Sequence, residues 1–292
     1  MQNNYQITYN EYLTLFENNL LEVFSSLSKT APETIKTAMN YAVTGGGKRI
    51  RPVLCMASAK LVGVDFSQIK EFSIAIECIH SYSLVHDDLP SMDNDDYRRG
   101  KLSTHKKFGE ANGILAGDAL LNFAFSLCLS KPNFNSDDVM ALKFLSDSAG
   151  YDGMIAGQVL DLESEGIKIN QELLYKIFEN KTAKLIIAPL VIPSILSGGK
   201  YFKELYEFGY NLGILFQITD DIIDVEGTFE DIGKTPNKDS KSDKLTSIKV
   251  FGLFGAKEKA KLHYENCVKC LQNIPNNDFL LNLCNKVYNR KK

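Results

Sequence analysis

The chain has 292 residues, 44% of them hydrophobic, and a formal net charge of -3, which is ordinary for a globular protein with a sizeable core. This charge excludes a general attraction to nucleic acid or to anionic membranes, so any anion site has to be local. The N-terminus lacks the basic start and apolar run of a signal peptide, and no run of about 20 apolar residues predicts a membrane span. We therefore expect a cytoplasmic protein without nucleic-acid partners or membrane insertion.

Helical periodicity dominates the chain. Apolar residues recur at helical spacing nearly everywhere, for example from Leu120 to Cys128 and from Leu205 to Phe216. Clusters of Gly, Pro and polar residues separate these segments into roughly ten predicted helices. No long linker or shift in composition divides the sequence. The pattern predicts an all-α fold that forms a single domain over residues 1–292.

A glycine-rich basic segment, GGGKRIRP, precedes one of the predicted helices. It places Lys48, Arg49 and Arg51 directly after Gly45–Gly47. The segment is not a P-loop, because the Walker pattern requires Gly where Ala42 stands and Ser or Thr where Arg49 stands. An ordinary nucleotide triphosphatase is therefore disfavoured.

The first acidic cluster, in LVHDDLPSMDNDD, ends a long apolar helix and contains Asp87, Asp88 and Asp93. An uninterrupted helix would rotate Asp93 by about 240° from Asp87. Pro90 disfavours helical geometry at Leu89 and so permits the chain to turn. We predict that this turn returns Asp93 to the side of Asp87.

The second acidic cluster, in ITDDIIDV, contains Asp220, Asp221 and Asp224. The spacing of four residues puts Asp220 and Asp224 on one helix face, with Cβ atoms roughly 5 to 6 Å apart. A solvated acidic face is the plain alternative, but an uncompensated charge pair among isoleucines is costly. A divalent cation removes that cost, and hard oxygen ligands favour magnesium or calcium. Two such clusters, each after an apolar helix, suggest carboxylates that face each other across a cavity.

Basic side chains accompany both clusters: Arg98 and Arg99 in DDYRRGK, Lys181 in ENKTAK and Lys234 in DIGKTP. Each alone would be read as a solvated residue. Together with two carboxylate sets they indicate a diphosphate site, because arginine forks and lysine charges are the usual ligands of such groups. The stretch 227–243 is rich in breakers and charges, and we interpret it as a lid over that site.

At this point the segments are recognisable. The series GGGKRIRP, IHSYSLVHDDLPSMDNDDYRRG, FGEANGILAGDALL, GQVLDL, KTAKLI and FQITDDIIDVEG followed by GK resembles the trans-prenyl diphosphate synthases, in particular the bacterial farnesyl diphosphate synthases. The resemblance spans nearly the whole chain. It implies the isoprenoid synthase fold, a helical bundle around a deep central cavity, and a homodimer. It also implies magnesium as cofactor, with about three ions when substrate is bound.

The same resemblance implies roles for the matching positions. The implied metal ligands are Asp87, Asp88, Asp93, Asp220, Asp221 and Asp224. The implied isopentenyl diphosphate site consists of Lys48, Arg51, His80 and Arg99. The implied allylic diphosphate site consists of Arg98, Lys181, Thr182, Gln217, Lys234 and Lys244. The residues expected to act in catalysis are Lys181, Thr182, Gln217 and Lys234.

Two departures from the family pattern stand out. Ala183 occupies a position where the family often has Gly, and Thr246 to Ile248 reads Thr-Ser-Ile where Thr-Tyr-Pro often follows the lid lysine. The second departure leaves open whether Lys244 reaches the site.

Tyr82 is the candidate determinant of product length. It lies five residues before Asp87, more than one helical turn deeper into the bundle. A hydrocarbon anchored at Asp87 has to extend along that helix, so Tyr82 would form the floor, whereas its neighbour Ser83 is too small to block the chain. The resemblance agrees, since an aromatic residue at this position accompanies C15 products. The alternative is a packed core aromatic without a role in product length.

The sequence therefore predicts a magnesium-dependent transferase that condenses isopentenyl diphosphate with dimethylallyl and geranyl diphosphate to give farnesyl diphosphate. A geranylgeranyl diphosphate synthase is the nearest alternative. A terpene cyclase needs no second diphosphate site, so the GGGKRIRP and RRG segments weigh against it. A non-catalytic synthase subunit typically loses one acidic motif, whereas both are complete here.

Overall fold

The computed structural model describes residues 2–166, 170–226 and 244–290. The helices are α1 Gln2–Ser25, α2 Glu33–Val43, α3 Ile50–Val62, α4 Lys70–Asp87, α5 Thr104–Phe108, α6 Glu110–Leu129, α7 Ser136–Ala149, α8 Met154–Glu163, α9 Gln171–Phe178, α10 Lys184–Leu196, α11 Phe202–Glu226, α12 Ser247–Leu271 and α13 Asp278–Tyr288. A short 3-10 helix covers Phe66–Gln68, and a π-helical turn, Glu179–Ala183, joins α9 to α10. Two short strands, β1 Tyr97–Arg98 and β2 Lys101–Leu102, pair antiparallel. The all-α prediction is confirmed.

Helix α10 lies at the centre of the bundle. Every residue from Leu185 to Ile195 is buried, as expected of a helix that is apolar on all sides. It packs against α3, α7 and α11, while α4 packs against α6 and α3. The core therefore surrounds the two helices, α4 and α11, that end at the acidic clusters.

Helix α6 differs from the sequence-based expectation about membrane spans. Within the described residues, Glu110–Leu129 is long and apolar enough to cross a membrane by length and composition, although 33% of that stretch is buried. Its buried residues include Gly113, Gly117 and Leu120, and the helix packs against α4 and α2. A core helix of a soluble protein meets the same criteria, so the observation is weak evidence for a membrane span.

Two glycines shape the helices α8 and α12. A Cβ atom at Gly157 would overlap the backbone nitrogen of Lys181, so the absence of a side chain lets α8 approach the π-helical turn. Helix α12 packs along α11 and is kinked at Gly252, which has a φ of 67°. Such a positive φ is readily adopted by glycine and rarely by other residues.

Candidate active site

A single cavity of about 1020 Å³ brings together most of the predicted site residues that the structure describes. It is lined by parts of α4, α6, α8, α11, the π-helical turn and the loop before α3. The predicted residues in its wall are Lys48, Arg51, His80, Tyr82, Ser83, Asp87, Arg99, Lys181, Thr182, Gln217 and Asp220. Apolar side chains, among them Leu121, Met154 and Val159, complete the wall.

The turn after α4 has the predicted form. Helix α4 ends at Asp87, and the backbone nitrogen of Asp93 donates to the carbonyl of Asp87 at 2.8 Å. Burial raises the pKa of the Asp87 carboxyl to about 6; Asp93 and Asp88 act in the same direction, and Lys181 and Arg98 oppose them. Carboxylates crowded in this way favour a cation as partner.

The middle aspartates of the two clusters, Asp88 and Asp221, are held by protein groups. Asp88 is buried and accepts a hydrogen bond from Nε of Arg98 at 2.9 Å. Asp221 is buried and accepts from the backbone nitrogen of Ser247 at 2.6 Å and from Nε2 of Gln217 at 3.2 Å. In the described residues these two carboxylates lie outside the cavity wall, whereas Asp87 and Asp220 are part of it. The contact with Arg98 holds strand β1 beside the end of α4, and the contact with Ser247 holds the start of α12 beside α11.

Asp224 and Thr246 complete the local picture of the second cluster. Asp224 is half-buried, one turn beyond Asp220 on α11. Thr246, in the segment that departs from the family pattern, caps α12 by accepting a hydrogen bond from the backbone nitrogen of Lys249 at 3.2 Å. The departure therefore leaves a well-formed helix start.

Lys244 reaches the carboxylates, which the sequence left open. Its Nζ lies 3.1 Å from Oδ1 of Asp93 and 3.8 Å from Oδ2 of Asp161. Lys181 also contacts Asp161, with Nζ 2.6 Å from Oδ2. Asp161 is buried and was missed as a site residue, although a carboxylate between Leu160 and Leu162 in the GQVLDL segment was a usable signal.

Arg290 was also missed. Its Nη2 lies 2.6 Å from Oδ1 of Asp220, its Nε donates to Oγ1 of Thr219 at 3.0 Å, and its guanidinium lies 4.0 Å from the centroid of the Phe216 ring. In the sequence it belongs to a basic run, NRKK, of the kind that normally remains solvated. Nothing in the sequence distinguished Arg290 from the other basic residues of this run.

The opposite part of the cavity is cationic. Burial lowers the pKa of Arg51 to about 10, an effect that Glu77 opposes and Arg99 reinforces. Burial, together with Arg51 and Arg99, lowers the pKa of His80 well below its usual value, so His80 is neutral near pH 7. A guanidinium nitrogen of Arg99 donates to the carbonyl of Gly46.

Thr182 and Gln217 form a hydrogen-bonded pair in the cavity wall. Oγ1 of Thr182 donates to Oε1 of Gln217 at 3.0 Å.

The two candidate determinants of product length lie side by side on α4. Tyr82 is 6% exposed and packs edge-on against His86, with ring centroids 5.7 Å apart. Oγ of Ser83 donates to the carbonyl of His80 at 2.9 Å. Lys234 and the predicted lid, 227–243, lie outside the described residues.

The donor set suits magnesium. No group of three or more His, Cys, Asp or Glu side chains converges as a ready-made metal site within residues 2–166, 170–226 and 244–290. Asp87 and Asp220 nonetheless offer hard oxygen atoms in the cavity wall, and Asp93 lies in the turn that follows Asp87. Magnesium is commonly held by one or two carboxylates together with water and substrate phosphates, so this arrangement fits that ion.

Fold and site together define a helical protein with paired carboxylate clusters beside a cationic cavity. A family profile described as polyprenyl synthetase matches residues 32–278. The chain belongs to this family.

Among curated relatives, the chain is similar to farnesyl diphosphate synthase of Micrococcus luteus, with 40% identity over 97% of each chain. It is also similar to farnesyl diphosphate synthase of Geobacillus stearothermophilus, with 42% identity over 83% of each. A third relative is the chloroplastic large subunit 1 of the heterodimeric geranylgeranyl pyrophosphate synthase of Arabidopsis thaliana, with 44% identity over 81% of this chain and 66% of that protein.

Solved structures agree with this placement. A geranyltransferase from Legionella pneumophila superposes with a TM-score of 0.85 at 30% identity and covers 98% of this chain and 99% of that one. A geranyltransferase from Helicobacter pylori, solved in complex with magnesium and isoprenyl diphosphate, has a TM-score of 0.80 at 33% identity, over 95% of this chain and 96% of that one.

Proposed function

We propose that this chain is a magnesium-dependent prenyltransferase that condenses isopentenyl diphosphate with dimethylallyl and geranyl diphosphate and releases farnesyl diphosphate. The observation that carries the proposal is the composition of one cavity wall, in which Asp87 and Asp220 stand together with Lys48, Arg51 and Arg99. The carboxylates can bind the metal ions that accompany one diphosphate, and the separate set of cationic side chains can bind a second diphosphate directly.

The allylic diphosphate binds on the carboxylate side. Asp87, Asp93 and Asp220, with the remaining acidic residues in support, would hold magnesium, about three ions, and the ions would supply positive charge to the departing diphosphate. The chain itself supplies positive charge through Arg98, Lys181, Lys244 and Lys234. Lys181 and Lys244 already lie side by side at Asp161, within reach of a group bound at Asp87 or Asp93.

The isopentenyl diphosphate binds on the cationic side, on Lys48, Arg51 and Arg99, with His80 as a hydrogen-bonding neighbour. As the allylic carbon-oxygen bond breaks, the double bond of the isopentenyl group attacks the allylic carbon and forms the new carbon-carbon bond. The released diphosphate accepts the proton that the new product loses. The hydrogen-bonded pair Thr182 and Gln217 lies beside the reacting carbons, and the apolar wall excludes water that would trap the cation.

The proposal extends to the assembly. We propose that the chain folds as a single domain, acts in the cytoplasm and forms a homodimer. Apolar side chains stand exposed on neighbouring α6 and α7: Leu115 at 55%, Leu129 at 59%, Val139 at 54% and Met140 at 55%. A second copy that covers this face would remove them from water. Sedimentation equilibrium should give twice the chain mass of 32.7 kDa.

A direct assay tests the proposal. The purified chain is incubated with magnesium, isopentenyl diphosphate and either a C5 or a C10 allylic diphosphate, and the chain length of the products is determined. A C15 diphosphate from both primers is expected. A main C20 product would favour a geranylgeranyl diphosphate synthase, the function named for the Arabidopsis thaliana relative. A cyclic hydrocarbon would indicate a cyclase, and no product at all a non-catalytic subunit.

A further inference from the structure

Arg49 is buried in the middle of the glycine-rich segment and bonds in three directions. Its side chain is 0% exposed. Nε donates to Oε1 of Glu17 on α1, Nη1 to Oε1 of Glu77 on α4 and Nη2 to the carbonyl of Val43 at the end of α2, each at 2.7 Å. Each of the three guanidinium nitrogens thus donates to an acceptor within the protein, although Arg49 and Glu77 both line the cavity.

Both the backbone and the charge of Arg49 are costly. Its φ of 50° lies in the left-handed region, which residues other than glycine rarely occupy and which is found mainly where the surroundings impose it. Its partner Glu77 has a side chain only 2% exposed. A buried ion pair is weak evidence for a stabilising role, because the loss of hydration offsets the attraction. A role in fixing local geometry accounts better for this pair.

The contacts of Arg49 close the loop at both ends. Val43 ends α2 just before the glycines, and Arg49 follows them directly ahead of α3, so the bond between the two ties the start of the loop to its finish. Within the loop, the Tyr9 hydroxyl donates to the carbonyl of Lys48. The bond to Glu77 then fastens the closed loop to α4.

Arg99 depends on the same loop. Its guanidinium donates to the carbonyl of Gly46, and a Cβ atom at Gly47 would lie 2.6 Å from its guanidinium carbon. The guanidinium therefore rests directly on the glycine backbone, and the path of that backbone decides where its charge lies. Lys48 lies in the loop next to Arg49, and Arg51 is the second residue of α3, two positions after Arg49, so the path of the loop affects the positions of all three cationic groups.

We propose that Glu77, acting through Arg49, is a positioning residue that shapes the glycine-rich loop so that Lys48, Arg51 and Arg99 converge on the diphosphate of the isopentenyl substrate. The inference rests on the proposed function for the assignment of that substrate to these three residues. Neither Glu77 nor Arg49 is assigned a contact with the reacting atoms.

A purely electrostatic role would have the opposite sign. Glu77 acts as a counter-charge that raises the pKa of Arg49, Arg51 and Arg99. Removing its charge while keeping its shape would make the site more positive and, by charge alone, would strengthen the binding of a diphosphate. Loss of loop geometry would weaken that binding. The direction of the change therefore separates the two roles.

The decisive variant is Glu77→Leu, which removes both the charge and the oxygen that accepts from Nη1 of Arg49, whereas glutamine would keep an accepting oxygen. We expect the KM for isopentenyl diphosphate to rise about tenfold or more, while kcat and the KM for the allylic diphosphate stay within about twofold of wild type. Calorimetric titration with isopentenyl diphosphate, without metal, should show a matching loss of affinity. A fall or no change in the KM for isopentenyl diphosphate, or an equal rise in both KM values, would overturn the proposal.

Two further variants test the same proposal independently of Glu77. Arg49→Lys keeps the charge balance but cannot bond to Glu17, Glu77 and Val43 at once, so it should reproduce the selective loss even if Glu77→Leu does not fold. Glu17→Gln is the matched control, because Glu17 has a 35% exposed side chain and its loss leaves both loop contacts in place; we expect a change below about threefold. An Arg49→Lys enzyme with wild-type affinity for isopentenyl diphosphate would also contradict the proposal.

Failure of the proposed function itself would look different. A wild-type chain that binds isopentenyl diphosphate in calorimetry yet forms no product would refute the activity and leave the loop proposal open to the same titrations. A wild-type chain that does not bind isopentenyl diphosphate would overturn both, because no such site would then exist for the loop to shape.

Discussion

The carboxylate side and the glycine-loop side of the cavity balance their charges in different ways. On the carboxylate side, the cations lie in contact with acidic partners, namely Lys181 with Asp161, Lys244 with Asp93, Arg98 with Asp88 and Arg290 with Asp220. On the glycine-loop side, Arg51 and Arg99 both interact electrostatically with one buried carboxylate, that of Glu77.

This difference predicts how each side binds an anion. A diphosphate on the carboxylate side meets acidic oxygens as well as cations, so it binds well only when divalent ions neutralise those oxygens. A diphosphate on the glycine-loop side meets a site that is already positive. The first site should therefore depend on metal and the second should not.

Loss of a cavity-lining aspartate should have the largest effect. Asp87→Ala and Asp220→Ala each remove an oxygen ligand, and we expect kcat to fall about 100-fold or more with the fold intact by circular dichroism. Glu226→Gln is the matched control, since this exposed carboxylate ends the same helix as Asp220 and pairs with Lys257; it should retain near wild-type turnover. A fall of less than about tenfold in both aspartate variants would refute the two-cluster assignment.

Removal of metal should divide the two sides. With a chelator present, we expect the dissociation constant of an allylic diphosphate to rise by about tenfold or more, whereas that of isopentenyl diphosphate changes by less than about threefold. Isothermal titration of the metal-free protein with each ligand measures both. Equal losses for the two ligands would show that both sites need the ion.

The neighbouring arginines test the division at the level of single residues. Arg99→Ala should raise the KM for isopentenyl diphosphate by about tenfold, because Arg99 rests on the glycine loop. Arg98→Ala should chiefly impair the allylic side, since it also frees buried Asp88 from its partner. Steady-state kinetics with each substrate varied in turn distinguishes them. The same kinetic change in both variants would mean that the two sides are not separate.

The apolar part of the cavity should affect product more than rate. Tyr82→Ala removes a buried ring from the wall, so the main product should shift from C15 toward C20 or beyond, with turnover within about threefold of wild type. Chromatography of the dephosphorylated products measures the shift, and Ser83→Ala is the control, expected to keep C15. If Tyr82→Ala still releases only C15 at a near-normal rate, the floor of the cavity lies elsewhere.

Local rules predicted much of the site. Pro90 indicated the turn that brings Asp93 back to Asp87, and the helical spacing of the second cluster placed Asp220 and Asp224 along one helix. The same periodicity could have separated the middle aspartates from their neighbours, because successive helical residues point about 100° apart. The motifs predict each cluster as one set of ligands, and in the structure Asp88 bonds to Arg98 and Asp221 to the backbone of Ser247.

The sequence by itself determined the helical character of this protein, the ends of the helices that carry the acidic clusters, and the family to which it belongs. These properties depend on periodicity, breakers and short motifs, which act within a few residues of one another. Only the tertiary structure decided that Asp161 lies beside Lys244, that Arg290 meets Asp220 and that Arg49 joins Glu17 to Glu77. Such pairs are distant in the chain, and their partners are set by how helices pack and by the need of buried charges for a counter-charge.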